Sequence, residues 1–243
     1  MARRIAAHAE IGPGDRVVEI GAGLGSLTVP LAEAGADVLA IEFDRALLPA
    51  LHEVVDELAG VRVMAADAME MDWAAILGAD RWTMVGNLPF NIATPLVMDL
   101  LESAPRIERF VIVVQREVGE RWVAGPGEDA YGAASVRVAY RADAEILRRV
   151  PASVFWPRPS VESAVVGLVP HPPRVAVARE ALFAVIEAGF AQRRKTMRSA
   201  LRRLGQTTGG AERLLARCGL PADVRAEALS LEQLAAVAGA LGG

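Results

Sequence analysis

Arg16-Val17-Val18-Glu19-Ile20 runs directly into Gly21-Ala22-Gly23-Leu24-Gly25, an apolar run leading into a glycine-rich turn. The first five residues read as a buried strand. The glycines let the chain turn sharply and bring backbone N–H groups close to a ligand. SLTVPLAEAG (26–35) then gives a helix closed by Gly35. Further along the chain, DVLAIE (37–42), VRVMAAD (61–67), WTMVGN (82–87) and RFVIVVQ (109–115) read as strands. They alternate with helical stretches at 45–58 and 93–102, the pattern of a parallel sheet wrapped by helices. RFVIVVQ is so rich in valine and isoleucine that it is expected to be buried on both faces.

Two more strands are predicted, AEILRRV (144–150) and SAVVGLV (163–169), separated by the proline-rich PASVFWPRPSVE. HPPRV (171–175) reads as a linker, and beyond it only helical periodicity remains. The expected organisation is α/β, with a Rossmann-like catalytic domain over 1–172 and a small helical domain over 173–243.

Composition narrows the class. The chain has 243 residues, 53% hydrophobic and 23% charged, which describes a globular protein with a real core. No run approaches the roughly 20 apolar residues needed to span a bilayer. The opening MARRIAAHAEIGPGD lacks the apolar stretch of a signal peptide, so a cytoplasmic protein is expected, with no membrane partner. A single Cys218 excludes an internal disulfide and a cysteine-based metal cage, and no metal is expected. The net charge of −4 is unevenly spread. Acids crowd the first third, whereas Arg141 to Arg203 holds many arginines against five acids. A polyanion would meet the second half, unless those arginines only solvate helix faces.

A glycine turn alone also suits a nicotinamide cofactor, but that fingerprint wants its last glycine where Ser26 stands. The carboxylates are more telling. Ligands of open α/β sheets lie over the carboxyl ends of the strands. Glu42 ends the second predicted strand and Asp67 the third, with Glu19 just before the glycine turn. Glu42 suits two ribose hydroxyls, Asp67 an adenine amine, and Glu19 adds negative charge where an ammonium would sit. Three acids serve a pyrophosphate poorly and serve the cationic, phosphate-free S-adenosylmethionine well. The expected cofactor set is Glu19, Gly21, Ala22, Gly23, Glu42, Phe43, Asp67, Ala68 and Asn87.

The fourth strand ends in Gly86-Asn87-Leu88-Pro89-Phe90-Asn91. An exocyclic amine on adenine is a poor nucleophile because its lone pair is delocalised into the ring. The Asn87 side-chain oxygen and a backbone carbonyl held by Pro89 can each accept one amine hydrogen, localising the lone pair for in-line attack. Phe90 can stack on the base. Asn87, Leu88, Pro89 and Phe90 are therefore the expected catalytic loop. Phe155 and Trp156 are candidates for the opposite face of the base, or for caps on the core.

These residues resemble the KsgA/Dim family of rRNA adenine dimethyltransferases along most of the chain. VVEIGAGLGSLTVPL, AIEFD and AADAM look like its first three cofactor motifs, and GNLPFNIATPL like its catalytic loop. VQREVGERWVAGPGEDAYGAASV, VPASVFWPRPSVESAVVGLVP and FAQRRKTMRSAL resemble three later segments. The resemblance implies transfer of two methyls to each of two adjacent adenines near the 3′ end of small-subunit rRNA during ribosome assembly, by a monomer. It assigns ribose to Glu42, cofactor adenine to Asp67, and the target base to Asn87 through Phe90, with Phe155 opposite. It assigns RNA phosphates to the FAQRRKTMRSAL helix, through Arg193, Arg194, Lys195 and Arg198. Relatives usually carry an upstream segment with a Gly-Gln-Asn-Phe-Leu-like motif that helps close both pockets; this sequence starts after it, and activity is expected to depend on it. The alternatives are a related large-subunit rRNA methyltransferase conferring antibiotic resistance, or a non-catalytic assembly factor of the same fold.

Overall fold

Seven strands form one sheet in the computed structural model of the chain, which describes residues 1–89, 92–155, 158–192 and 194–242. In chain order they are β1 (Arg16–Ile20), β2 (Asp37–Glu42), β3 (Val61–Ala65), β4 (Trp82–Asn87), β5 (Ile107–Gln115), β6 (Ala142–Val150) and β7 (Ser163–Pro170). Their spatial order is β3-β2-β1-β4-β5-β7-β6. The first five run parallel, and β7 is antiparallel to both neighbours. The chain moves outward from β1 to β3 and then returns to place β4 on the other side of β1. That reversal makes the β1/β4 boundary the switch point, over which ligands of open α/β sheets bind.

Helices α1 (Ala2–His8), α2 (Thr28–Glu33), α3 (Leu48–Val55), α4 (Trp73–Leu77) and α5 (Ala93–Ser103) connect and cover these strands. Phe110 to Val114 are all essentially inaccessible, as expected of a strand covered on both faces. Each such side chain contributes on the order of 1.5–3 kcal/mol of burial. One face carries Val17, Val38, Val85, Val113 and Val165, packed with Ile5 of α1, Leu31 of α2 and Leu51 of α3.

The remaining helices are α6 (Arg116–Val123), α7 (Ala133–Arg141), α8 (Arg179–Phe190), α9 (Met197–Arg203), α10 (Thr208–Arg217) and α11 (Leu231–Gly242). The chain divides into two compact units, Met1–Gly119 with Ala142–Pro170, and Glu120–Arg141 with His171–Gly243. The division expected from sequence kept 120–141 with the catalytic residues. Instead Tyr131, Val136 and Tyr140 bury with Leu182, Ile186, Leu215 and Leu234 in a separate helical core. Tyr131 also donates to the Leu229 carbonyl at 2.7 Å, and its ring meets Phe190 edge-on.

A second difference concerns FAQRRKTMRSAL. The sequence reads as one helix, but α8 stops at Phe190 and α9 starts at Met197. Thr196 is extended, with φ −75° and ψ 159°, and the Met197 N–H donates to the Val224 carbonyl at 2.7 Å rather than along a continuous helix. Of the basic residues between them, Arg194 and Lys195 stand on a turn.

Candidate active site

The glycine turn is fastened to the end of β2. The N–H groups of Gly21 and Ala22 both donate to the Ile41 carbonyl, and the Gly23 N–H donates to Glu42 Oε2 at 2.7 Å. Gly21, Gly23 and Gly25 all have positive φ, which residues with a Cβ adopt only at a cost. Glu42 is buried, and its Oε1 accepts the Asp44 N–H at 2.8 Å. One carboxylate thus ties together the turn after β1 and the loop after β2.

Asp67 lies two residues beyond β3 rather than at its end, because the strand stops at Ala65. Its Oδ1 accepts the Met69 N–H at 2.9 Å, a turn-forming bond that fixes the side chain, and Oδ2 makes no hydrogen bond among the described residues. Ala68 is buried and accepts the indole N–H of Trp73. Phe43 is 71% exposed beside Glu42. Leu24 and Met69, which the sequence reading did not select, are the other large exposed apolar side chains in the loops after β1 and β3. Together the three give an apolar rim to a group of acids.

Glu19 differs from expectation in its charge. It is 1% exposed, and burial, with the nearby Glu42 carboxylate adding to it, pushes its carboxyl up to about 8. The Thr28 hydroxyl at the start of α2 pulls in the opposite direction. Glu19 is therefore mostly neutral at pH 7. Its Oε2 and the Thr28 Oγ1 are enclosed, and neither makes a hydrogen bond of ordinary geometry among the described residues. Thr28 was missed from sequence, where a threonine opening a helix carries no special signal.

Across the switch point, Asn87 ends β4 with its side chain exposed, paired in register with Val113 of β5. The Asn87 carbonyl lies 3.5 Å from where a Cβ on Gly21 would stand, so the catalytic loop and the glycine turn meet. Gly86 allows this: a Cβ there would fall 2.7 Å from the Ile20 carbonyl oxygen. Leu88 is buried and its N–H donates to the Val113 carbonyl, while its own carbonyl takes no hydrogen bond among the described residues. The Pro89 carbonyl accepts the N–H groups of Ile92 and Ala93 and starts α5. Phe90 lies outside the described residues, as do Trp156 and Arg193. Phe155 is half-buried against the apolar cluster containing Val85 and Val113, on the sheet face that Asn87 shares.

In the helical unit, Arg194 and Lys195 are exposed on the turn before α9. Arg198 differs from them, because it is paired with Glu212 at 2.7 Å.

A glycine turn with carboxylates beyond successive strands, an asparagine loop across the switch point and an antiparallel β7 together define a Rossmann-like methyltransferase. The comparisons agree. The chain belongs to the ribosomal RNA adenine dimethylase family, whose sequence profile matches residues 1–241. It is 44% identical to the ribosomal RNA small subunit methyltransferase A of Moorella thermoacetica, over 97% of this chain and 85% of that protein. The protein of that name from Streptomyces griseus is 40% identical over 97% of this chain and 83% of its own length. Among solved structures, a dimethyladenosine transferase from Plasmodium falciparum superposes with a TM-score of 0.80 at 21% identity, covering 97% of this chain and 93% of that one. The 23S rRNA methyltransferase ErmE gives 0.74 at 25% identity, over 100% and 97%. The small-subunit relatives are thus well above ErmE in identity over nearly the same length.

Proposed function

We propose that this chain uses S-adenosylmethionine to dimethylate the exocyclic amines of two adjacent adenines near the 3′ end of small-subunit rRNA, acting as a cytoplasmic monomer on immature subunits. The observation that carries this is the meeting of Asn87 with the glycine turn at the β1/β4 switch point. The small-subunit methyltransferase relatives support the choice of substrate over a large-subunit target.

The donor set fits the cofactor. The enclosed, unpartnered Oε2 of Glu19 suits a cationic amine, buried Glu42 suits a ribose diol, and Asp67 suits the adenine amine. Phe43, Leu24 and Met69 supply apolar surface for the purine, with Ala68 at its edge, and Gly21, Ala22 and Gly23, whose N–H groups bond to Ile41 and Glu42, give the ligand a backbone wall without side chains in its way. When bound, S-adenosylmethionine supplies a methyl group on a positively charged sulfur.

The protein's own part is positional. Asn87 Oδ1 and the Leu88 carbonyl each accept a hydrogen from the target amine, which turns its lone pair out of conjugation and aims it. Pro89 fixes the Leu88 carbonyl, and Phe155, with Phe90, holds the base by stacking. The proton lost after attack leaves through these same acceptors to solvent, so a strong base is not needed. Arg194 and Lys195, with Arg193, hold RNA phosphates, while Arg198 serves the helical unit through Glu212.

The deciding experiment is transfer from labelled S-adenosylmethionine to immature small subunits, with large subunits as control, followed by nucleoside analysis. Dimethyladenosine on small subunits alone is expected. Label on large subunits would overturn the substrate, and bound cofactor without transfer to either would favour an assembly role.

A further inference from the structure

One polar pocket at the carboxyl edge of the sheet is not used by the chemistry above. It has a volume of about 340 Å³ and is lined by Gln115, Arg116, Glu117, Val161 and Glu162. Gln115 is the last residue of β5, two residues beyond Val113, which pairs with Asn87. Alternation along β5 puts Gln115 on the sheet face that Val113 and Asn87 share. A strand spacing of about 4.8 Å and a rise of about 3.3 Å per residue place its Cα roughly 8 Å from that of Asn87. The Gln115 amide is half-buried and makes no side-chain hydrogen bond among the described residues. Beside it, the Arg116 guanidinium is held by Glu162 at 2.7 Å, and the Arg116 N–H donates to the Glu162 carbonyl at 2.9 Å. Val161 is 41% exposed, two residues before β7 begins.

We propose that this pocket receives the nucleobase next to the target adenine and that Gln115 makes it selective for adenine. This rests on the proposed rRNA substrate, in which the neighbour of each target is the other adenine. A glutamine amide matches the amine and N7 of adenine in a bidentate pair, donating to N7 and accepting from N6. A guanidinium clamped by a carboxylate is a fixed plane on which a splayed single-stranded base stacks. Val161 supplies apolar contact at the rim. The distance from Asn87 is right for a neighbouring base in a strand whose target has been turned out. Gln115 is thus a specificity residue that touches RNA without touching the reacting nitrogen.

The test uses small subunits reconstituted from rRNA transcripts in which one adenine of the pair is replaced by cytosine, guanine or uracil. Methylation of the remaining adenine is measured. For one of the two positions, replacement is expected to lower kcat/KM roughly fivefold to a hundredfold, the range of a good bidentate contact. Gln115→Ala is expected to bring all four neighbours within about twofold while cofactor affinity is unchanged. Gln115→Glu, which can only accept, is expected to shift preference toward cytosine, whose N4 donates. Equal rates for every neighbour with the parent protein, or full discrimination retained in Gln115→Ala, overturns the pocket assignment alone. No transfer to unaltered subunits sinks this inference together with the proposed function.

Discussion

Gly86→Ala tests whether the β1/β4 boundary sets the position of the catalytic loop. The new Cβ would stand 2.7 Å from the Ile20 carbonyl oxygen and 3.2 Å from both Leu88 Cδ2 and Met84 Cε. The two side-chain ends can turn aside, but the backbone oxygen cannot. Carbon–oxygen contacts between strands settle near 3.3–3.6 Å, so β4 must retreat by roughly 0.6–0.9 Å. Overpacking of this kind costs about 1–3 kcal/mol. The retreat also moves Asn87, the next residue, away from the glycine turn. A misplacement near 1 Å costs on the order of a hundredfold in rate, so kcat/KM is expected to fall tenfold to a hundredfold. Urea unfolding gives the first quantity and labelled methyl transfer the second. Leu77→Ala is the control, because it empties a buried site on α4 at a cost of about 2–5 kcal/mol without touching the boundary. It is expected to lower stability and leave turnover near normal. A Gly86→Ala protein within about 0.5 kcal/mol of the parent in stability and about twofold in rate would mean that the β1/β4 boundary does not set the position of Asn87.

Asn87→Ala is expected to abolish transfer; near-normal turnover would remove Asn87 from the mechanism. Glu19 sets a pH dependence of the opposite sign to an ordinary paired carboxylate. Folding raises its pKa from 4.5 to about 8, so between those values the folded chain holds a proton that the unfolded chain has lost. Its contribution is complete below pH 4.5 and is lost as pH rises through about 8. Glu19→Gln should remove that decline in urea midpoints, and an unchanged slope would deny the buried proton. Cofactor binding near pH 7 should release a proton as the ammonium ionises Glu19; calorimetric heats independent of buffer would count against this pairing. Neutralising Arg194 and Lys195 should flatten the salt dependence of RNA binding by about 0.7–0.9 per contact, while Arg198→Ala leaves the slope unchanged.

The sheet was legible because its signals are local. Apolar runs located the strands, and the first four, running into a glycine, a carboxylate or an asparagine, located the residues beyond their ends. What escaped the sequence depends on contacts between distant segments. Nothing in Glu120–Arg141 announces that Tyr131 and Val136 bury in one core with residues of α8 and α11. The break before α9 escaped for a similar reason, because helix-forming residues surround it and the competing partner of Met197 is the distant Val224 carbonyl. Glu19 was correctly placed beside the turn, but its charge state follows from burial, which only the packed structure shows. Gln115 sits within a run that reads as pure strand, and its open amide becomes visible only with β7 alongside.

The helical unit is built from two separate stretches of chain, with β6 and β7 between them. During synthesis Tyr131, Val136 and Tyr140 emerge well before Leu182, Leu215 and Leu234, the residues that cover them. At about 5–20 residues per second, the intervening chain takes roughly 5–20 seconds to appear. Throughout that interval the early stretch must remain as an uncovered apolar segment on a nascent chain. Cutting the protein at the linker would make that interval permanent, leaving the catalytic part with an apolar insert and nothing to bury it.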